Sequence, residues 1–145
     1  MQKRPPRQPL SPQQINDLLT GHDIQPTQQR LEIARVLFAR DQHLSADDVL
    51  KQVNQEAARV SKATVYNTLG LFAAKGLIRE VIIDPNRVFY DPNTCEHHHF
   101  YNVDTGELLD IDADQLAPMT LPTLPTGTVT DSVDVIIRIR NQAPA

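Results

Sequence analysis

After Gly76 the apolar residues of this chain change period, and that change restricts what the chain can fold into. Upstream they recur every three to four positions, as on the buried face of a helix. Downstream, "LIREVIIDPNRVFYD" holds two short β-prone runs around Asp84-Pro85-Asn86, the pattern of a hairpin. Helices in series followed at once by a hairpin are the order of a winged helix-turn-helix. The predicted class is therefore α+β.

Each predicted helix carries its own start signal. Ser11-Pro12-Gln13-Gln14 joins an N-cap serine, a proline at the first helical position and a glutamine at N3, a capping box. The helix it opens sets Ile15, Leu18 and Leu19 on one face, with Gly21 just past its end. Pro26-Thr27 opens a second, with Leu31, Ala34, Val36, Leu37 and Phe38 as a wide apolar stripe. Ser45 caps a third, with Asp47 and Asp48 in its first turn and Val49, Leu50 and Val53 facing inward. Ser61 caps a fourth, which runs to about Lys75. Ahead of them, "MQKRPPRQPL" sets Lys3, Arg4 and Arg7 among prolines that exclude helix, so it reads as an extended basic arm.

Beyond the wing the pattern resets. "HHFYNV", a turn at Asp104-Thr105-Gly106, and "ELLDI" predict a second hairpin. A connection studded with Pro118, Pro122 and Pro125 follows, with a short helical part near Ala113–Met119, and "TVTDSVDVIIRIR" closes as a long strand. The chain thus divides into an arm at residues 1–10, a winged-helix domain at residues 11–92 and a small α/β domain at residues 93–145.

Charge divides along the same line. Residues 1–92 hold 12 Lys and Arg against 10 Asp and Glu, whereas residues 93–145 hold 2 against 8. A slightly basic half joined to an acidic one suits a part that meets a polyanion and a part that binds cations. The single cysteine, Cys95, excludes an intrachain disulfide framework and a four-cysteine zinc site within one chain. No apolar run approaches the roughly 18 residues of a membrane span, and the basic N-terminal stretch has no apolar segment behind it. A soluble cytoplasmic protein is expected.

The fourth helix, "SKATVYNTLGLFAAKG", buries Val65, Leu69 and Phe72 at i, i+4 and i+7. That leaves Lys62, Ala63, Thr64, Tyr66, Asn67 and Thr68 on its other faces, toward the end that a recognition helix presents to the major groove. Asn67 has the donor and acceptor to grip adenine, Thr64 and Tyr66 suit a thymine methyl or a phosphate, and Lys62 suits a phosphate. Thr68, Arg30, Arg87 and the arm's Lys3, Arg4 and Arg7 complete the candidate DNA contacts. The same polar face would also serve a capped surface helix that binds nothing.

The other chemistry-bearing stretch is "DPNTCEHHHFYNVDTGELLDI". On a strand His97 and His99 project to one face and His98 to the other, so the outer two are a ready pair of metal ligands. Asp91 ends the wing hairpin, Asp110 lies on the partner strand of the next hairpin, and His43 precedes the third helix. Imidazole and carboxylate together suit Fe(II), Mn(II) or Zn(II), with little selectivity among them. A haem iron would instead take one or two axial ligands from His97, His98 and His99, with Cys95 as a thiolate candidate, although no cysteine–proline haem pair is present. Asp112 and Asp114 read as helix-start or solvated charges. A metal-dependent hydrolase would need a nucleophile set or a carboxylate placed as general base, and neither is evident, so no enzyme activity is expected.

"QPTQQRLEIARVLF", "HLSADDVL", "SKATVYNTLGLFAAKGLIRE" and the histidine cluster resemble the ferric uptake regulator (Fur) superfamily along nearly the whole chain. "ATVYNTL" followed by "VFYDPNTCEHHHFYNVDTGELLDI" is most similar to its iron response regulator (Irr) branch. The resemblance implies a homodimeric transcriptional regulator with an N-terminal winged helix, a C-terminal dimerisation and sensing domain, and a palindromic operator on double-stranded DNA. It places His43, Asp91, His97, His99 and Asp110 on the positions of the family's regulatory metal site. Many members carry a Cys-x-x-Cys pair for structural zinc where this chain has Asn102 and Thr105, so that zinc is expected to be absent. A second family site is matched only loosely by Glu96 and His98, with Val133 where a histidine is looked for. Both departures resemble the branch in which a histidine triplet goes with haem-dependent control of iron status. A PerR-like peroxide-sensing repressor is the near alternative, because Fe(II) held by histidines and aspartates can oxidise its own ligands. A directly metal-responsive Fur-type repressor is the other.

Overall fold

The computed structural model describes residues 5–55, 60–95, 97–112, 115–117 and 119–144. The first unit, Met1–Thr94, holds four helices and a hairpin; the second, Cys95–Ala145, holds a three-stranded sheet. The elements are those of the α+β class, with an N-terminal winged helix-turn-helix and a C-terminal small sheet domain in chain order.

In the first unit, α1 (Pro12–Gly21), α2 (Gln28–Leu37), α3 (Ala46–Val53) and α4 (Lys62–Ala74) begin where their caps were read. Ser11 and Gln14 exchange both capping-box bonds, at 3.1 and 2.8 Å. Ser45 and Asp48 do the same at 3.1 Å each, with an aspartate completing the box. Thr27 and Ser61 cap α2 and α4 singly.

Helix ends follow a different rule from the one glycine suggested. Gly21 lies inside α1, and the left-handed residue that stops it is Asp23, at φ +57. The Ile24 N–H then reaches back to Leu19 O at 2.9 Å, closing a Schellman motif with an aspartate where glycine is usual. At the end of α4 the motif is the expected one. Gly76 takes φ +76, its N–H bonds Ala73 O at 3.1 Å, and Leu77 N–H bonds Phe72 O at 2.9 Å. The change of period at Gly76 is therefore a helix stop that turns the chain straight into the wing.

One core joins the four helices. Leu19 from α1, Ile33 and Leu37 from α2, Val49 from α3, and Val65, Leu69 and Phe72 from α4 are all fully buried in it. Ile33 is the member that the predicted α2 stripe passes over. Burial of each such side chain is worth about 1.5–3 kcal/mol, which makes this core the scaffold on which α4 is displayed.

The wing is β1 (Arg79–Asp84) paired antiparallel with β2 (Arg87–Asp91), with a register irregularity after Ile82. Asp84 Oδ1 accepts from Asn86 N–H at 2.8 Å, fixing the turn. A third segment joins the hairpin at one position. Leu44 and Tyr90 exchange both backbone hydrogen bonds, at 3.1 and 2.7 Å, as an isolated antiparallel bridge.

In the second unit the strand order is β4-β3-β5, with β3 (His98–Asn102) central, antiparallel to β4 (Leu108–Ile111) and parallel to β5 (Ile136–Ile139). The β3–β4 turn is organised by Asn102, whose side-chain oxygen accepts from Asp104 and Thr105 N–H at 2.9 and 3.2 Å. Gly106 closes it at φ +74. The long final strand expected from "TVTDSVDVIIRIR" is shorter than read, with only Ile136–Ile139 in the sheet. Strand geometry persists only where a neighbour supplies hydrogen bonds, and β3 offers its free edge over that length alone. Of the helical part expected near Ala113–Met119, Ala113, Asp114 and Pro118 lie outside the described residues; Gln115 N–H bonds Asp112 O at 2.9 Å.

Candidate functional site

The Leu44–Tyr90 bridge decides the position of the first pair of candidate ligands. In an antiparallel bridge the residue before one partner stands opposite the residue after the other, so His43 faces Asp91. His43 Nε2 lies 3.0 Å from Asp91 Oδ2. The second carboxylate oxygen of Asp91 accepts from Asn93 N–H at 2.8 Å, which fixes the carboxylate with Oδ2 toward the imidazole. Asp91 is 2% exposed, an environment that an ionised carboxylate occupies only with partners. Beside it, burial, followed by the charge of Glu80, pushes the Tyr90 phenol above its ordinary range.

The second unit assembles three more candidates. The β3–β4 register sets His99 directly opposite Asp110, and His97, two residues before His99, projects to the same side. The two rings lie 4.5 Å apart between centroids, tilted by 60°. Both turn to one oxygen: Asp110 Oδ1 is 3.1 Å from His97 Nε2 and 3.3 Å from His99 Nε2.

The tautomer of His97 gives this convergence its meaning. His97 Nδ1 lies 2.7 Å from the Cys95 carbonyl, which only accepts, so Nδ1 carries the proton. In a neutral ring Nε2 is then a lone pair aimed at a carboxylate oxygen, and two acceptors at 3.1 Å repel unless a cation or a proton stands between them. Ligand atoms about 2.0–2.2 Å from a small divalent metal stand roughly 3.0–3.5 Å from one another. The pairs at 3.0, 3.1 and 3.3 Å are edges of that size. The donor chemistry of each unit thus fits a divalent cation, with nitrogen and carboxylate oxygen in the mixture that Fe(II), Mn(II) and Zn(II) accept.

The haem candidates divide. His97 and His99 are buried side by side, their rings tilted by 60°, and both face one carboxylate. His98 points to the other side of β3, and its Nδ1 accepts from Val135 N–H at 3.0 Å. Its neutral ring therefore carries the proton on Nε2, and as placed neither nitrogen offers iron a lone pair. Cys95 is exposed. Glu96 and Asp114 lie outside the described residues. Asn102, where the resemblance expects a cysteine, spends its side chain on the β3–β4 turn and on Asn141 Oδ1 at 2.9 Å.

On α4, Lys62, Tyr66 and Asn67 are exposed and Thr64 is half-buried. Thr64 Oγ1 accepts from the N-cap Ser61 hydroxyl at 2.9 Å, so this threonine belongs partly to the cap. Tyr66 lies 3.5 Å from Asp47 Oδ1 on α3 through its hydroxyl, and Lys62 Nζ stands 5.8 Å from its ring centroid. Thr68 departs from the expected set. It is 6% exposed, because three residues after Val65 and four before Phe72 it falls on their buried face. Arg30 donates to Gln25 O at 2.8 Å at the start of α2, and Arg87 is exposed at the wing turn.

Arg7 also departs. It folds back onto the first unit, where Asp41 takes both its backbone N–H and its Nε, at 2.9 and 3.4 Å, and the guanidinium lies 5.2 Å over Phe38. Lys3 and Arg4 lie outside the described residues. Asp41 and Asp47 meet partners distant in sequence, Arg7 and Tyr66, which nothing in their local pattern marks.

A model of the Ferric uptake regulator family matches residues 22–135 of the chain. The peroxide-responsive repressor PerR of Staphylococcus aureus (strain Mu50) is 30% identical over 93 residues, which are 64% of this chain and 63% of the relative. The chain thus spans somewhat less than two thirds of the length of that curated relative. Among solved structures, a ferric uptake regulator from Pseudomonas aeruginosa with manganese has a TM-score of 0.66 at 25% identity, covering 88% of this chain and 98% of that one. The Vibrio cholerae ferric uptake regulator has a TM-score of 0.68 at 19% identity over 87% of this chain and 98% of its own, a likeness of fold.

Proposed function

Because this chain belongs to the Ferric uptake regulator family, we propose that it is a DNA-binding transcriptional regulator that answers to iron status through one divalent cation. The proposed ligands are His43, Asp91, His97, His99 and Asp110. The observation that carries this reading is the convergence of two buried imidazoles on Asp110 Oδ1, with His97 Nδ1 already committed to a carbonyl. When bound, the ion supplies the positive charge that this donor set lacks. The Pseudomonas aeruginosa relative with manganese supports the choice of metal class.

The chain's own residues do the rest. α4 enters the major groove by its N-terminal end, where Asn67 reads a base edge and Lys62 holds phosphate. Arg87, at the wing turn, adds a backbone contact. One such helix reads few base pairs, so the functional species is a homodimer on a palindromic operator. A regulator acting on DNA works in the cytoplasm, and among the described residues no helix is long and apolar enough to cross a membrane. Regulation rather than catalysis is the activity proposed.

A peroxide-responsive reading is favoured by one observation, the likeness to PerR of Staphylococcus aureus. On that reading the bound Fe(II) oxidises one of its own histidine ligands. The haem-responsive reading of the iron response regulator branch has less support, since His98 must first release Val135 N–H to ligate iron.

Operator binding measured with Mn(II), with Fe(II) and then peroxide, and with haem separates the three. A Mn(II)-dependent change in affinity supports the metal reading. Loss only with Fe(II) and peroxide, with oxygen added to a histidine, supports the peroxide reading. A response to haem alone overturns both.

A further inference from the structure

We propose that Arg7 is a positioning residue for the His43–Asp91 pair, strapping the N-terminal arm across the two segments that carry those side chains. Asp41, which takes the Arg7 backbone N–H at 2.9 Å and its Nε at 3.4 Å, is two residues before His43. The Arg7 Nη2 reaches the carbonyl of Pro92 at 3.5 Å, and Pro92 directly follows Asp91. The guanidinium stacks 5.2 Å from the Phe38 centroid, at the C-cap of α2 and so at the start of the same loop. One planar fork of donors therefore ties the segment at Asp41 to the segment at Pro92.

Among the described residues, the backbone pairing that joins those two segments is the Leu44–Tyr90 bridge alone. The His43–Asp91 pair lies between the bridge and the Arg7 tie, at 3.0 Å. A single isolated bridge is a weak fastening, because no neighbouring ladder bonds cooperate with it. The Arg7 side chain is 16% exposed, so its ordering is part of the folded unit rather than a surface accident. An arm held this way gives up one cation that the arm would otherwise present to phosphate, and in return it holds the imidazole and carboxylate in register. Coupling of this kind is reciprocal: whatever holds His43 to Asp91 holds the arm.

The test uses the full chain as wild type, Arg7→Ala and Arg7→Lys, first without metal. Amide hydrogen exchange is read at Leu44 and Tyr90, with Leu69 in α4 as the internal reference. We expect exchange at Leu44 and Tyr90 to quicken by about tenfold in Arg7→Ala, the scale of one or two hydrogen bonds, with Leu69 unchanged. Arg7→Lys, which keeps the charge and loses the fork, should recover only part of the protection. Unchanged exchange at Leu44 and Tyr90, or equal quickening at Leu69, would overturn the strap.

Mn(II) titration then reads the ligand role, which rests on the proposed metal reading. Arg7→Ala should bind Mn(II) several-fold more weakly, and Mn(II) should slow trypsin cleavage after Arg7 in the wild type. Equal affinities with unchanged cleavage overturn the positioning role. A wild type that binds no Mn(II) sinks the metal reading, while the exchange data still decide the strap.

Discussion

His43 Nε2 stands 3.0 Å from Asp91 Oδ2, although almost fifty residues of helix, loop and strand separate them along the chain. The approach is made by backbone: Leu44 and Tyr90 exchange their N–H and carbonyl groups, and the residues just outside that bridge are left opposed. The candidate ligand pair is thus set by the wing's edge rather than by either loop.

Removing the carboxylate that two imidazoles share should be the most damaging single change to cation binding. Asp110→Ala is expected to weaken Mn(II) binding at least tenfold, with His43→Ala weakening it less because it removes one ligand and leaves Asp110 in place. Electron paramagnetic resonance titration of free Mn(II) reads both. Equal affinity in Asp110→Ala and wild type would place the ion elsewhere.

Metal removal should also show in stability, since a ligand that binds only the folded state stabilises it by mass action. At a Mn(II) concentration about 100 times its dissociation constant the gain is about 2.7 kcal/mol. A chelator should lower the melting temperature of wild type, and lower that of Asp110→Ala by about half as much or less. Calorimetric scans with and without chelator check this.

Burial separates the α4 residues proposed to touch DNA from Thr68, which is 6% exposed. Lys62→Ala should weaken binding evenly across sequences and flatten the salt slope by about one, while Asn67→Ala should relax preference at particular bases at a cost of about 1–3 kcal/mol. Thr68→Val, on the buried face, should leave base preference unchanged. Binding-site selection with each variant tests all three, and a base preference that shifts with Thr68 would misplace the helix.

The scaffold under that helix should respond in proportion to what each residue buries or caps. Phe72→Ala is expected to cost about 3–5 kcal/mol, because a fully buried ring leaves a cavity. Ser61→Ala, which removes the N-cap acceptor of Thr64 N–H at 3.2 Å, should cost about 1 kcal/mol. Urea unfolding midpoints give both.

Tyr90 carries a pH dependence of definite sign. Burial first, then the charge of Glu80, raises its pKa in the folded protein above the ordinary value of 10.0. The folded state keeps the phenol's proton after the unfolded state has begun to lose it. Its contribution is therefore complete below pH 10 and is lost as pH rises through the raised value. Melting temperatures of wild type should fall more steeply above pH 10 than those of Tyr90→Phe. Parallel slopes for the two would remove Tyr90 as the cause.

Local chemistry in the sequence determined the helix starts, the wing and the α4 stripe. Ser11, Thr27, Ser45 and Ser61 cap through bonds that reach only a few residues along the chain. His97 and His99 share a side of their strand for the same local reason, a period of two. What depended on distant partners could not be read that way. Thr68 looked exposed by type and is buried by position; Asp23, not Gly21, turned the end of α1. β5 is as long as β3 allows it to be, and His98 is engaged by a backbone amide that belongs to the approach to β5. Arg7 read as a cation for phosphate, yet tertiary structure gave it Asp41, Phe38 and Pro92. Caps and periodicity are short-range, whereas bridges, ion pairs and burial are set by which segments the folded core brings within a hydrogen bond of one another.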